Sequence, residues 1–430
     1  MNERVVQQVD RRAFLQTGCV LGAGVTTRAM SALGGAVGAN RRFTVGVMGL
    51  SRGLGIIRTL ENVPNVKVAY VCDVDQARIA RAQEEVDKQT GEKPTGVQDF
   101  RRMLDDNAVD AVFIATCNHW HTPATVLACK AGKHVYVEKP GSQNPYESEL
   151  IVAAAKKYER VVQMGNQRRS WPSMIEAVER LRAGAIGTLR FARCIFAQGR
   201  KSIGRGQLVP APSRLDYSMW QGVAPERSYK SNLIHYNWHW HWHWGNGELG
   251  NNGVHSIDVA RWGLGVDYPQ RVAFIGGRYH FDDDQETPDR GVASYDFGDV
   301  GITWECSSCH ARKGESETFA AFYGDGGSLT ITKAAYVIRD LTGKEIESNP
   351  GHREDSLHME NFFTCIVDGG KPNSDIEDAQ KSTLLCHLGN ISHRTGEMIH
   401  FDSKTRRIVG SPAGETLWKR EYRDGWEPTV

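Results

Sequence analysis

A glycine-bearing turn and a later acidic residue are the first constellation in this sequence with an evident chemical use. Gly49, Gly53 and Gly55 follow the apolar run Phe43–Met48, and Asp73 closes a second, valine-rich run that begins at Asn65. A turn without side chains lets backbone amides approach a pyrophosphate at a helix amino terminus, and a carboxylate ending the next strand can accept hydrogen bonds from ribose hydroxyls. Ser51 and Leu54 stand where the usual Gly-x-Gly-x-x-Gly pattern has its second and third glycines. The candidate cradle, Gly49, Ser51, Arg52 and Gly53, therefore rests on its position between strand and helix. The carboxylate of Asp73 repels a 2′-phosphate, which favours NAD over NADP.

Three further groupings carry possible chemistry. If the run His235–Trp244 is extended, His239, His241 and His243 share one face and the tryptophans the other. Imidazoles so placed could bind a divalent metal. The run could instead form a carbohydrate surface, with indoles on sugar C–H faces and residues such as Tyr236 and His239 beside the hydroxyls, or an aromatic core strand. No acidic ligand is attached to it, so no metal site is assigned. Cys306-Ser307-Ser308-Cys309-His310 spells a c-type haem attachment motif but continues an alternating strand from Ile302, and is read as ordinary strand cysteines. The acidic run Asp282–Asp284 reads as a solvated loop.

The elements that must position these residues alternate along the first part of the chain. Strands are expected at residues 42–48, 65–73, 108–116, 134–138 and 161–164, with helices from Ile56, over 123–131 and over about 146–158. Such an order implies βαβ units and a parallel Rossmann-type sheet over residues 41–165. After Gly165 the texture changes to longer Gly-, Pro-, Trp- and His-rich loops and separated strands such as 301–306 and 328–331. Residues 166–430 are therefore expected to form an α+β domain with an open, mostly antiparallel sheet.

Residues 1–40 stand apart, with Arg11 and Arg12 ahead of a weakly apolar, Gly/Ala-rich stretch. They resemble a twin-arginine export signal, too glycine-rich and interrupted by Arg28 to insert stably in a membrane. The expected location is the periplasm. Lys plus Arg number 52 against 51 for Asp plus Glu, a balance that argues against a nucleic-acid or anionic-lipid partner and points to a small molecule. Nine cysteines, unevenly spaced, do not look like a disulfide scaffold.

Glu138-Lys139-Pro140, Thr116-Cys117-Asn118-His119-Trp120-His121 and Gly247–His255 carry a specific likeness. On these residues the chain resembles the glucose-fructose oxidoreductase and inositol dehydrogenase family. That resemblance implies a lysine facing nicotinamide and substrate hydroxyl at Lys139, and a reacting histidine at His255. It further implies cofactor contacts by Thr116, Asn118, His121 and Glu138. The branch-like segments around Asn166, Gln167 and Arg168 are assigned to substrate, as are Tyr236, His239 and Asn251. Asn251 stands where the family has an aspartate, so Asp258, three residues beyond His255, is the expected source of the missing charge. The implied enzyme is an NAD-dependent oxidoreductase acting on a secondary hydroxyl of a sugar, cyclitol or glycoside, with retained cofactor and a homodimeric or homotetrameric assembly. Redox-neutral glycoside hydrolysis or elimination through a transient keto-sugar is the alternative within the same chemistry. A non-catalytic sugar-binding protein is the alternative outside it.

Overall fold

A computed structural model describes residues 42–430 except 314 and 316, so the arginine pair and the expected export segment lie outside the described residues. Six strands make the first sheet: β1 (Phe43–Met48), β2 (Val66–Cys72), β3 (Thr95–Val97), β4 (Ala111–Ile114), β5 (His134–Val137) and β6 (Val162–Met164). All pair in parallel, in the order β3-β2-β1-β4-β5-β6. Parallel strands are covered on both faces, which is why Val45, Val47, Phe113 and Val135 are fully buried. The order reverses between β1 and β4, and the crevice at such a switch point is where a parallel sheet offers its loops to a ligand. The short β3 and the helix Gln76–Thr90 that precedes it were not among the expected elements.

Ten strands make the second sheet: β7 (Leu189–Ala197), β8 (Arg271–Gly277), β9 (Arg290–Asp296), β10 (Gly301–Ser307), β11 (Ala320–Gly324), β12 (Gly327–Thr332), β13 (Ala335–Asp340), β14 (Glu345–Asn349), β15 (Ile399–Asp402) and β16 (Arg407–Val409). Only β7 and β10 run parallel; every other pairing is antiparallel, as the expected open, mostly antiparallel sheet requires. The helices Val254–Leu264 and Ile376–Thr395 lie on one face. Alternation along β10 sends Ile302, Trp304 and Cys306 into that layer. The other face leaves Ile275 79% and Val292 42% exposed.

The chain then returns to where it began. Met359, Phe362 and Phe363 of the helix Ser356–Asp368 enter the core of the first sheet, where Phe363 meets Phe43 at 4.8 Å between ring centroids. Among the described residues no helix is long and apolar enough to cross a membrane.

Two loop expectations are corrected. The run His235–Trp244 is not extended: residues 237–240 form a 3₁₀ turn within a series of turns, and its imidazoles serve different acceptors. His239 bonds the Tyr236 carbonyl at 2.6 Å, His241 approaches Glu286 at 3.4 Å, and His243 bonds the Pro225 carbonyl at 2.8 Å. Burial of Trp238, Trp240 and Trp244 on irregular backbone wins over the two-residue period. The acidic run is not simply solvated either, because Asp283 pairs with Arg278 and Asp284 with Lys230 to tie the loop down. Cys306 lies within β10 and Cys309 just beyond it, both as free thiols.

Candidate active site

A cavity of about 460 Å³ opens at the carboxyl ends of the first sheet. Gly49 follows β1, Asp73 follows β2, Thr116 and Asn118 follow β4, and Glu138 and Lys139 follow β5, so each wall residue is set by where its strand stops.

At one end, Gly49 has φ +87°, and a Cβ there would lie 2.5 Å from the Ala115 carbonyl oxygen. Only glycine lets the turn press this closely against β4. The turn leads into the helix Arg52–Leu60, whose first amides have no partner within the helix. Asp73 accepts the Leu50 amide at 2.8 Å and the Asp75 amide at 3.0 Å, one on each carboxylate oxygen. Those bonds fix it at the cavity wall with lone pairs to spare for a ribose diol. Burial, the largest influence, raises its pKa, and the two amides oppose that shift. This cradle, acidic strand end and helix terminus fit an adenine dinucleotide. Ser51 and Arg52 line the cavity. Gly53 does not, because it faces inward, where a Cβ would lie 3.0 Å from Val47.

At the other end stand Lys139 and His255. The Lys139 ammonium donates to the Asn251 carbonyl at 2.6 Å and to its Oδ1 at 3.1 Å. Asn251 sits in the π turn Leu249–Gly253, and such turns often mark functional positions. Burial lowers the pKa of Lys139, and Glu138 works against that shift. His255 makes no hydrogen bond to a described residue. Burial first, then the charges of Lys139, Arg168 and Arg52, hold its pKa well below 6.5. The ring is therefore neutral near pH 7 and free to accept a proton.

Between the two ends, Glu138 accepts from Arg52 at 2.9 Å and from Gln167 at 3.3 Å. His121 places one ring nitrogen 2.5 Å from the Pro140 carbonyl and the other 3.1 Å from that of Thr116, joining the loops after β4 and β5. Asn118 donates to Asn246 at 2.7 Å. Gln167, Arg168, Tyr236 and His239 all reach the wall. Asn166 does not: it is buried away from the cavity, with both side-chain amide atoms unpaired.

Asp258 is not where the His255 argument needed it. It accepts two hydrogen bonds from Arg169, both at 2.8 Å, and one from Ser382 at 2.7 Å, deep between helices. Residues three apart on a helix differ by roughly 60° around its axis. That offset is enough to turn Asp258 to a guanidinium on the far side. The wall also includes Arg78, Trp171, Arg353 and Asp355, none of which sequence reasoning singled out. Trp171 and Asp355 come from parts of the chain whose meeting no local pattern announces.

The profile of the oxidoreductase family's NAD-binding Rossmann fold matches residues 43–166, and that of its C-terminal alpha/beta domain matches residues 190–428. A glycosyl hydrolase family 109 protein of Saccharopolyspora erythraea is 30% identical over 179 residues, which is 36% of this chain and 39% of that protein. Inositol 2-dehydrogenase 1 of the same organism is 34% identical over 159 residues, 36% of this chain and 46% of that enzyme. The matched stretches thus span less than half the length of these curated relatives. The crystal structure of an aldose-aldose oxidoreductase from Caulobacter crescentus complexed with glycerol superposes with a TM-score of 0.66, at 21% identity, over 84% of this chain and 100% of that one. It shares the fold.

Proposed function

Because the chain belongs to the Gfo/Idh/MocA oxidoreductase family and carries its NAD-binding Rossmann fold, we propose that it is an NAD-dependent dehydrogenase acting on a secondary hydroxyl of a sugar, cyclitol or glycoside. The observation that carries this reading is that a neutral imidazole and a half-buried ammonium line the same cavity as the glycine turn and Asp73. When bound, the nicotinamide supplies a two-electron acceptor for the hydride that leaves the carbinol carbon. His255 takes the hydroxyl proton, so the carbon–hydrogen bond breaks as the carbon–oxygen double bond forms. Lys139 stabilises the negative charge that develops on oxygen. Asn251 aims the ammonium with two neutral oxygens, and so does not cancel its charge. Asp73 selects against a 2′-phosphate. Its replacement by Ser should reduce discrimination against NADP, with Arg78 at the cavity wall available to receive the extra phosphate.

The proposal extends to retention and export. A periplasmic enzyme meets no soluble nicotinamide pool, so a cofactor loaded before export has to stay bound. The name of the family 109 relative favours a second use of the same centre, redox-neutral glycoside cleavage through a transient ketone. One experiment separates these: denature the purified protein and record the absorbance and mass of what is released, then assay a panel of sugars and glycosides with and without added NAD. Net reduction at about 340 nm supports the dehydrogenase, and cleavage without added NAD supports the redox-neutral cycle. Absence of nicotinamide in both binding and turnover rejects both. Arg11→Lys with Arg12→Lys should keep the precursor in the cytoplasm; normal processing of that variant would point to another export route.

A further inference from the structure

Of the cations that line the cavity, Arg52 is matched by Glu138 and Arg353 by Asp355 at 3.0 Å, whereas Arg78, Lys139 and Arg168 have no carboxylate partner among the described residues. Lys139 is held by neutral oxygens and already has a task, and the charge of Arg78 acts on Asp73 at the nucleotide end.

Arg168 is the remaining one. It lies in the 3₁₀ turn Gln167–Ser170 that follows β6. Its guanidinium sits 4.0 Å from the centroid of Phe319 and 4.8 Å from that of Trp171. The side chain makes no hydrogen bond or ion pair to any described residue, and its Nε is buried without a partner. Burial is the largest influence on it and lowers its pKa to about 10, with Arg353 adding to the effect, so it stays charged at neutral pH. A shielded cation without a counter-ion is costly, and the aromatic faces recover only part of that cost. A guanidinium offers parallel donors matched to a carboxylate. With Nε closed off, Nη1 and Nη2 are the pair left to receive one.

We propose that the substrate is an acidic sugar, a hexuronate or aldonate free or glycosidically linked, whose carboxylate Arg168 holds while a ring or chain hydroxyl reaches Lys139 and His255. The inference rests on the site assigned above and names the substrate class for it. Among the described residues no carboxylate pairs with Arg168: Glu138 is engaged by Arg52 and Gln167, and Asp355, whose charge is felt at Arg168, is engaged by Arg353 and Trp171.

The test uses the protein as purified, with whatever cofactor it carries. D-Glucuronate, D-galacturonate and D-gluconate are compared with D-glucose, D-galactose and D-glucitol, by calorimetric titration, intrinsic tryptophan fluorescence and reduction of added NAD. At least one acid should bind about tenfold or more tighter than its neutral counterpart. Arg168→Gln should abolish that difference mainly through KM, Arg168→Lys should keep part of it, and Lys139→Ala should keep the binding preference while losing turnover. No preference for any acid, or equal weakening of acids and neutral sugars by Arg168→Gln, overturns the proposal; should Arg168→Gln fail to fold, the wild-type preference and Arg168→Lys decide it. Acid preference without nicotinamide reduction or cleavage removes the catalytic reading and leaves this one standing. Turnover of neutral sugars alone does the reverse.

Discussion

Lys139 donates to two oxygens of Asn251, so its charge is held in place without being cancelled. A charge used in that way acts on the transition state more than on the ground state. Lys139→Ala should therefore lower kcat by about 10²-fold or more and leave cofactor content near the wild-type level, as steady-state rates and released nicotinamide would report. A variant of wild-type rate would remove Lys139 from the chemistry. Asp258 supports a different expectation. Its carboxylate balances the buried Arg169 together with Asp378, so replacing it by Asn removes one of two counter-ions at a cost of about 1–3 kcal/mol, read from urea unfolding. The acid limb of kcat/KM, governed by an imidazole held well below 6.5, should not move. A shifted limb would mean that Asp258 does act on His255. That Lys139 and His255 would line one cavity was legible because each sits in a short motif. The turning away of Asp258 was not, because helical spacing gives neighbours on an axis and says nothing about which neighbour has a guanidinium to offer.

The turn at Gly49 joins β1 to its helix while pressed against the backbone after β4. Gly49→Ala forces a side chain into a left-handed conformation and into the Ala115 carbonyl, so stability should fall by about 2 kcal/mol or more, with loss of retained nucleotide. Unchanged unfolding and nucleotide content would show that the turn relaxes freely. The strands flanking this turn were readable because fully buried parallel strands are written as apolar runs. β3, three residues long, writes too little pattern to be found. The His/Trp run misled for the opposite reason: its two-residue alternation is strong, yet the backbone turns so that Trp238 and Trp244 can join Trp220 and Leu233 in a local cluster. Alternation records which side chains avoid water, and an irregular turn can satisfy that as well as a strand.

At the scale of the whole molecule, several imidazoles are buried in the neutral form. Burial lowers the pKa of His119 to about 3, of His358 to about 4 and of His387 to about 3. In the unfolded chain these rings titrate near 6.5, so below that pH the unfolded state binds protons that the folded state refuses. Their contribution is intact above about pH 6.5 and is lost as the pH falls toward 4, each ring adding about 1.4 kcal/mol per pH unit. Urea midpoints at pH 7 and pH 5 should differ strongly. Equal midpoints would mean that these rings are protonated in place. Both sheets were anticipated from the sequence, but the return of the helix Ser356–Asp368 to the first core was not, since its apolar residues carry no sign of which sheet they will meet. That return has a consequence for synthesis. A ribosome that has finished β6 has made every strand of the nucleotide-binding sheet but not Met359, Phe362 or Phe363, which complete its core. Nascent chains arrested before Ser356 should stay open to protease across β1 to β6, and full-length chains should not. Vectorial folding is thus denied to the amino-terminal half, and the dinucleotide can be captured only after translation is nearly over.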